Sequence, residues 1–538
     1  MYSAGFLSSS LVFQPIRPFK PFLLRCPTLA RPSIPLCSAE PEPPRRSSGS
    51  GSGRGRANPP MDSGAEAPGG RGARRHSHRT SRRSSIKKSL AQEQVVFTTP
   101  VAEDPVVAII GGGVSGLVCA LTLEERGIRS TVFDTVCYYP SSMPLVLLSS
   151  HWEEGDSLLA LGVHGLGGRM ATRIISPKPL VFDHAAQFFT VSDSRFRKLV
   201  DGWLEKGLIQ EWKGLLVELE AGGHCVPVPY TTKRYVGTNG MRPLMDSIIC
   251  QSKLVNIVRP CWVSKLEPFN GTWRLTERDE YHGQFDAIVI AHNGKCANRL
   301  LSSSGLPLLT KQMKVSAELL RTCTLELSSI WALLAAFDDP LPIPTIGAFR
   351  SFDGAFVKGV NSLSWMGNNT SKLFPLESGK PHCWTFFSTA AYGKQNKVPQ
   401  ENIPNATAER VTNEMLEGVE SALGLSKGSL EKPFYTRVQL WGAALPTNTP
   451  AVACIFDPRG RAGICGDWLL GSSVEAAALS GMALAHHMAD YFKSGGTRSD
   501  EFAIGLNSTF QAIAGHDIGQ FPGLEYEKQV EPQACTAL

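Results

Sequence analysis

The 538-residue sequence lacks three features that would mark common classes of protein. Its 13 cysteines are scattered and form no C-x-x-C pair, so the spacing indicates neither a zinc site nor a disulfide framework, and no metal is expected. No run of about 18 apolar residues is free of glycine or charge, so no integral membrane span is expected. The folded part has no basic face with interleaved aromatics, so no nucleic-acid partner is expected.

Acidic residues are also missing from the amino-terminal segment. None precedes Glu40, and residues 1–100 carry 16 basic against 5 acidic side chains, whereas the rest of the chain carries 38 against 43. A Ser-, Pro- and Arg-rich segment without acids is typical of an organelle transit peptide, for which we expect the chloroplast, with the mitochondrion as the alternative. Residues 1–103 are therefore predicted to be a transit peptide followed by a disordered basic Ser/Arg/Gly-rich leader.

The first ordered unit begins with a buried strand. Val106–Ile110 is a continuous apolar, β-branched run, typical of a parallel strand covered on both faces. Gly111, Gly113 and Gly116 follow with G-x-G-x-x-G spacing. A helical pattern leads on to a second short strand, Ser130–Phe133. The order of strand, glycines, helix and strand predicts a βαβ unit that binds a dinucleotide.

Each residue of this unit has a physical role in that prediction. Gly111 permits the tight turn, Gly113 lets a pyrophosphate approach the backbone, and Gly116 lets helix and strand pack closely. The helix N-terminus, which includes Ser115, offers free N–H groups and a positive dipole to the phosphates. Asp134 ends the second strand, where a carboxylate accepts hydrogen bonds from ribose hydroxyls.

Two further stretches carry glycines at the ends of predicted elements. "GVHGLGGRMATR", residues 162–173, combines glycines with two arginines and predicts a tight backbone around an anion. Near the carboxyl terminus a short strand ends at Gly466 and Asp467, and a helix-forming sequence follows. Ser472 and Glu475 have capping-box spacing, which predicts a helix start near Ser472 or Ser473.

With "RYVGTNGMRPLMDSI" and "FDAIVIAHNG" between them, these stretches resemble the renalase-like branch of the FAD-dependent amine oxidase superfamily. The resemblance covers most of residues 105–490. It extends to plant organellar members described as FAD/NAD(P)-binding oxidoreductases. It implies noncovalently bound FAD, since the chain has no carboxyl-terminal cysteine motif for covalent attachment.

The resemblance also assigns contacts with FAD. Gly167 and Gly168 would bring backbone to the diphosphate, and Arg169 would supply a fixed positive charge. Val263 would make a backbone contact with the adenine. Gly466, Asp467 and the helix that includes Val474 would hold the ribityl-phosphate and the pyrimidine edge of the flavin. Together with the βαβ unit, the predicted cofactor-binding residues are Gly111, Gly113, Ser115, Gly116, Asp134, Gly167, Gly168, Arg169, Val263, Gly466, Asp467 and Val474.

By the same resemblance the fold is α/β. A Rossmann-like FAD-binding domain with a parallel sheet is expected from residues 104–190, 232–300 and 451–496. An interleaved α+β substrate domain of mainly antiparallel sheet is expected from residues 191–231 and 301–450, followed by a tail at 497–538.

One segment departs from the family pattern. Residues 136–161 separate Asp134 from the second glycine stretch, whereas relatives run almost directly from one to the other. The segment is either a surface loop or a retained in-frame intron in the gene model, and its apolar composition without periodicity favours the intron.

The expected function is hydride transfer from a small reduced substrate to FAD. The substrate would be an amine or a dihydronicotinamide, which includes NAD(P)H and related compounds. The alternatives are a desaturase or oxidase of a larger apolar substrate, of the carotenoid or porphyrinogen type, and a flavin-binding protein without turnover. No catalytic residue or oligomeric state is assigned. His292 is expected to be structural, and Trp365, Trp384 and Trp441 are candidates for an apolar substrate wall.

Overall fold

A computed structural model of the chain describes the residues that build the predicted domains. These are residues 93–135, 166–175, 180–292, 294–313, 325–343, 351–375, 379, 381–400, 402–496 and 499–513. The leader as far as residue 92, the segment 136–161 and the tail from residue 514 lie outside the described residues. The predictions for those segments stay predictions.

The elements are numbered in chain order. The strands are β1 (Val106–Ile110), β2 (Arg129–Phe133), β3 (Thr172–Ile175), β4 (Leu180–Asp183), β5 (Ile209–Glu211), β6 (Leu216–Glu220), β7 (His224–Pro227), β8 (Tyr235–Gly237), β9 (Val255–Val258), β10 (Lys265–Phe269), β11 (Thr272–Glu277), β12 (Glu280–Phe285), β13 (Ala287–Ile290), β14 (Leu327–Phe337), β15 (Gly354–Lys358), β16 (Trp365–Asn368), β17 (His382–Phe387), β18 (Tyr435–Pro446), β19 (Asn448–Thr449), β20 (Ile455–Asp457), β21 (Ala462–Ile464) and β22 (Gln511–Ala512). The α-helices are α1 (Val114–Glu125), α2 (Ser194–Glu205), α3 (Met241–Ile249), α4 (Gly294–Leu301), α5 (Pro307–Met313), α6 (Asn369–Leu373), α7 (Ala390–Gln395), α8 (Asn405–Leu423) and α9 (Val474–Lys493). No helix in the described ranges is both long and apolar enough to cross a membrane.

The first sheet is mainly parallel and has the order β20-β21-β13-β1-β2-β9. Strands β21, β13, β1, β2 and β9 run in one direction, and only β20 is antiparallel to its neighbour. Alternate residues of β1 face opposite sides, as the pleat requires. Val107 and Ile109 pack with α1 and α9, whereas Ala108 and Ile110 pack with the small sheet β10-β11-β12 and with α4 and α5. Cover on both faces explains the unbroken apolar run.

The second large sheet has seven strands in the order β18-β14-β17-β16-β15-β6-β7. All neighbours are antiparallel except the parallel pair β15 and β6. Helix α8 covers one face, where Val411 and Met415 pack with Trp384. Trp365 and Phe387 on the other face belong to the same core as α1 and α9. The predicted fold class, a Rossmann-like α/β domain with an interleaved, mainly antiparallel α+β domain, is confirmed.

The two large sheets draw their strands from different segments of the chain. The six strands of the first sheet lie within residues 104–190, 232–300 and 451–496. The seven strands of the second sheet lie within residues 191–231 and 301–450. The boundaries themselves stay predictions.

Helices α1 and α9 pack together at the backbone. A Cβ atom on Gly481 of α9 would lie 2.2 Å from the carbonyl oxygen of Ser115 and 3.0 Å from the amide nitrogen of Cys119. Because both contacts are with backbone atoms, neither can be relieved by a side-chain rotation. The interface between these two helices therefore requires glycine at position 481.

We predict that Gly481→Ala destabilises the folded chain by roughly 1–3 kcal/mol, since the methyl group must push two helices apart. Gly202→Ala is the matched control, because a Cβ at this position within α2 meets nothing within 4 Å. The control should be neutral or stabilising by about 0.5–1 kcal/mol, since alanine favours helix. Denaturant unfolding of both variants checks the prediction, and equal stability would contradict it.

Candidate functional site: a dinucleotide cleft

The first glycine stretch turns directly from β1 into α1. Gly111 has φ +120°, and its N–H donates to the carbonyl of Phe133 on β2 at 2.9 Å. A Cβ on Gly116 would lie 2.1 Å from the carbonyl oxygen of Gly111, so only glycine lets the helix sit this close to the strand. Helix α1 begins after Gly113 with no side-chain cap and no acidic residue in its first turn. Its N–H groups and dipole are therefore available to an anion.

Gly113 borders open space. A Cβ built on this residue meets no atom within 4 Å, although its φ and ψ of −76° and 174° suit any amino acid. Since neither conformation nor crowding by the described protein atoms requires glycine here, the free space beside the backbone is the feature that glycine provides. A phosphate could approach the backbone at this point.

The second glycine stretch lies beside the first. Gly167 donates its N–H to the carbonyl of Gly112 at 2.7 Å, and Gly113 and Gly167 form a parallel bridge. Gly167 and Gly168 both have positive φ, +102° and +57°, which favours glycine. The structure thus brings together two segments that the sequence separates by about fifty residues.

Asp134 faces the same turn from the end of β2. The backbone N–H groups of Gly112 and Thr135 donate to its carboxylate, but Oδ2 is buried without a hydrogen-bond partner among the described residues. Burial raises the pKa of Asp134 to about 6, and these two N–H groups and Arg259 only partly oppose that rise. A buried acceptor without a donor fits the ribose hydroxyls predicted for this carboxylate from the sequence.

The third segment meets the second through an ion pair. Nη2 of Arg169 lies 2.6 Å from Oδ1 of Asp467, and its Nη1 donates to the carbonyl of Ala444 at 2.8 Å. The Arg169 side chain is 32% exposed and that of Asp467 only 9%, so part of the guanidinium still faces solvent. The two predicted residues therefore contact each other, and the role of Arg169 towards a diphosphate stays a prediction.

Helix α9 begins where the sequence predicts, but the predicted capping box does not form. Ser473 is the N-cap, and its Oγ accepts from the N–H of Ala476 at 2.9 Å. Glu475 does not reach back to Ser472. Its carboxylate instead accepts from the backbone N–H groups of Ser192 and Asp193, at 2.8 and 2.6 Å. As at any helix start, the N–H of Val474 has no acceptor within its own helix.

Val263 lies near Asp134 in the segment between β9 and β10. It is buried in the core that contains Ile110 and Phe133. Two residues earlier, the N–H of Cys261 donates to the carbonyl of Asp134 at 2.8 Å. The contact of Val263 with an adenine stays a prediction.

The spacing of the sequence motifs does not identify four residues that support the cleft. Gly112 contacts both Asp134 and Gly167, and Ser480 accepts the N–H of Gly466 through Oγ at 3.0 Å. Asp183 and Lys372 form a fully buried ion pair of 2.8 Å. Gly112 occupies an unspecified position of the first glycine motif, and Ser480 lies in the helix that follows the third segment. The buried pair joins residues 189 positions apart and leaves no pattern in the sequence.

That ion pair holds several elements together under the second glycine stretch. Oδ1 of Asp183 accepts from Oγ1 of Thr172 at 2.5 Å and from the N–H of Met241 at 3.0 Å. Nζ of Lys372 also donates to the carbonyl of Gln187 at 3.2 Å. Full burial of both charges is tolerated because each has several partners. The segment 184–188, which leads away from β4, is fixed as a result.

The three tryptophans that are candidates for a substrate wall do not all lie on the same face of the second sheet. Trp365 packs on the face of the second sheet that is turned towards α1 and α9. Trp441 stacks on His184 at 5.7 Å and donates its Nε1–H to the carbonyl of His184 at 2.8 Å. Trp384 packs instead under α8 on the opposite face, stacked on Phe386. Trp384 is therefore a core residue and not part of a wall beside the cleft.

His292 follows β13 next to the first glycine stretch. A Cβ on Gly111 would lie 3.3 Å from the amide nitrogen of His292. Burial lowers the pKa of His292 to about 4, so the imidazole is neutral at neutral pH. Its position against the turn is compatible with the expected structural role, which stays a prediction.

Comparison with known proteins gives one family match. The family model described as an NAD(P)-binding Rossmann-like domain matches residues 109–137, which contain most of the βαβ unit. This match supports the predicted dinucleotide-binding unit and extends over a small part of the chain.

Comparison with solved structures finds several whose whole length the chain covers. A proposed protoporphyrinogen oxidase from Exiguobacterium sp. 255-15 is 11% identical with a TM-score of 0.48, over 72% of this chain and 99% of the other. Cyclohexylamine oxidase from Brevibacterium oxydans IH-35A is 12% identical with a TM-score of 0.45, over 72% and 100%. A fatty acid isomerase from P. acnes is 9% identical with a TM-score of 0.47, over 72% and 99%. Similarity at this level does not identify an activity.

We predict that Asp134→Asn stabilises the chain in the absence of a nucleotide. The pKa of Asp134 is about 6 in the fold, above its usual 3.8, so the folded state binds the extra proton and stability falls as pH rises through this window. Asparagine removes that penalty, which is about 3 kcal/mol at most. The Tm of the variant should exceed that of the unsubstituted chain at about pH 8, and the difference should shrink towards about pH 5.

The exposed Asp201 provides the control, since Asp201→Asn changes the same chemistry without burial. A Tm difference for Asp134→Asn that does not vary with pH would contradict the assignment of the raised pKa to this carboxyl.

Proposed function

We propose that the chain is an FAD-dependent oxidoreductase of the renalase-like branch of the amine oxidase superfamily. It would accept hydride from a small reduced substrate, a dihydronicotinamide or an amine, onto noncovalently bound FAD. The observation that carries the proposal is the meeting of three segments distant in sequence at one edge of the parallel sheet. Gly167 bonds to Gly112, and Arg169 pairs with Asp467.

Two helix N-termini at this edge support a long dinucleotide over a mononucleotide. Helices α1 and α9 both follow parallel strands, so they run in the same direction from the same edge. Since Gly481 packs against Ser115, α9 begins roughly 9 Å before the level at which α1 begins, at 1.5 Å of rise per residue. Helix α1 would bind the pyrophosphate and α9 would face the pyrimidine edge of a flavin further along the cleft.

FAD, when bound, supplies the hydride acceptor. The residues of the chain would bind this cofactor and orient the substrate. Asp134 would accept the ribose hydroxyls, and Gly113 would admit the phosphates. Trp365 and Phe387 of the second sheet are buried in the core shared with α1 and α9, whereas Trp441, which stacks on His184, is partly exposed. A partly exposed aromatic side chain such as Trp441 suits a flat ring such as a dihydronicotinamide.

The cellular site of this activity is part of the proposal. The basic, acid-poor leader supports import into the chloroplast, with the mitochondrion as the alternative. Fusion of residues 1–103 to a fluorescent protein in plant cells tests it. Chloroplast fluorescence is expected, and diffuse cytoplasmic fluorescence would contradict import.

We predict that the purified full chain is yellow and releases intact FAD on denaturation, and that Gly113→Ala binds FAD roughly 30- to 100-fold more weakly. A methyl group at this position meets no described protein atom, so the variant should fold, but the methyl occupies the space needed for a phosphate. Loss of charge-assisted hydrogen bonds worth about 2–2.7 kcal/mol gives this range. Isothermal titration of FAD into the flavin-free protein measures it.

Gly202→Ala is the matched control and should bind FAD as the unsubstituted chain does. If the folded chain is colourless and does not bind added FAD, or if Gly113→Ala binds FAD with unchanged affinity, the assignment of the cleft is wrong.

The substrate class is tested by anaerobic reduction of the flavin. We expect bleaching of the flavin absorbance by a dihydronicotinamide or an amine at substrate concentrations from about 1 μM to 1 mM. The test set contains NADH, NADPH, their positional isomers, primary amines and a long apolar polyene. Bleaching by the polyene alone would favour the desaturase alternative. A chain that retains FAD but is reduced by none of them would favour a binding protein without turnover.

A further inference from the structure

A cluster of three side chains lies behind Asp134, outside the dinucleotide cleft. Cys261 follows β9, Glu277 ends β11, and His282 belongs to β12. The thiol sulfur, a carboxylate oxygen and an imidazole nitrogen all lie within 4.8 Å of one another. We call these three residues the thiol–imidazole–carboxylate cluster. Cys261 is buried, whereas Glu277 and His282 are partly exposed, so the cluster can be reached from solvent.

A β-bulge directs His282 into the cluster. In the pairing of β11 with β12, Thr276 pairs with Tyr281 and Leu275 with Gly283, which leaves His282 as the extra residue. In a regular strand, His282 and Tyr281 would point to opposite faces of the sheet, and each would pair with its own residue of β11. Bulges commonly re-aim one side chain in this way. The imidazole packs edge-on against Phe133 with ring centroids 6.1 Å apart.

The imidazole nitrogen that faces the cluster has no hydrogen bond. Nε2 of His282 is buried without a partner among the described residues and lies 3.6 Å from Oε2 of Glu277. That distance is too long for a hydrogen bond. It is close to the separation of about 3.5 Å between two ligand atoms on one tetrahedral zinc ion, whose bonds are about 2.0–2.3 Å.

The local charge favours a cation. The carboxylates of Glu277 and Glu280 both lie close to the buried thiol of Cys261. The thiol donates a hydrogen bond to Glu277. A divalent cation would replace that proton, which passes to solvent, and would neutralise the thiolate and the carboxylate together.

We propose that Cys261, Glu277 and His282 bind one zinc ion, with water as the fourth ligand. One sulfur, one nitrogen and one oxygen donor form a set that zinc accepts, whereas magnesium and calcium prefer oxygen alone. The ion would join the segment after β9 to β11 and β12. The same segment holds Asp134, since the N–H of Cys261 donates to the Asp134 carbonyl at 2.8 Å. The zinc site does not depend on the proposed oxidoreductase activity.

The test is cobalt substitution in the full chain, treated with chelator and kept reduced. Co²⁺ should bind with one equivalent at the cluster and give tetrahedral d–d bands in the red, where oxidised flavin does not absorb, together with a thiolate-to-cobalt charge-transfer band. Zn²⁺ should displace it. Cys261→Ser should abolish the charge-transfer band and weaken Zn²⁺ binding by about 100-fold or more, since even outer partners of a ligand cost up to this much.

Cys225→Ser is the matched control, because this partly exposed cysteine lies on β7 in the other large sheet and should leave the spectrum unchanged. His282→Gln is a second variant at a partly exposed position, which tests the site if Cys261→Ser, at a buried position, does not fold. It should keep a charge-transfer band and the circular dichroism of the fold but bind Zn²⁺ at least about tenfold more weakly. A chain without a thiolate band, or a band that survives Cys261→Ser, would overturn the site, whether or not the chain binds FAD.

Discussion

The backbone contact between α1 and α9 is the constraint on which the cleft depends. Gly481 lies against the carbonyl of Ser115, so there is no room for even a methyl group between the two helices. This contact fixes the stagger of their N-termini, and the stagger sets the distance between the two places where an anion or a dipole-sensitive ring edge can lie. The glycines at the strand ends serve the same geometry, since Gly116 brings α1 onto β1.

The cleft combines groups that are poorly satisfied by the protein alone. Asp134 carries a buried oxygen without a donor among the described residues and a pKa raised to about 6, and the N–H of Val474 has no acceptor within its own helix. Such groups cost stability unless something binds to them. The nearby pair Asp183 and Lys372 shows the opposite case, because three hydrogen bonds with other residues, besides the ion pair itself, stabilise the two buried charges. Rigid support next to unsatisfied groups is the arrangement expected of a binding site.

Much of the fold could be predicted from the sequence because its signals are local. The unbroken run at β1, the spacing of Gly111, Gly113 and Gly116, and the serine before α9 each depend on residues only a few positions apart. Glu475 shows where local rules fail, since its capping-box spacing was correct but the N–H groups of Ser192 and Asp193, far away in sequence, bind its carboxylate. Tertiary packing likewise determines the partner of Arg169 and the sheet face on which Trp384 lies. Strand register determines the bulge at His282. The spacing of residues in the sequence encodes neither.

The parallel sheet draws its strands from both ends of the folded region. Its central strand, β1, is made early in synthesis, whereas β21 and α9, which cover β13 and α1, come more than 350 residues later. A ribosome that adds about 5–20 residues per second needs tens of seconds to supply them. During that interval one flank of α1 has no permanent cover, and the apolar edge of β13 has none from the time that β13 is made. The nascent chain is therefore a natural client for chaperones, and loss of even the last two turns of α9 by premature termination would leave this core open.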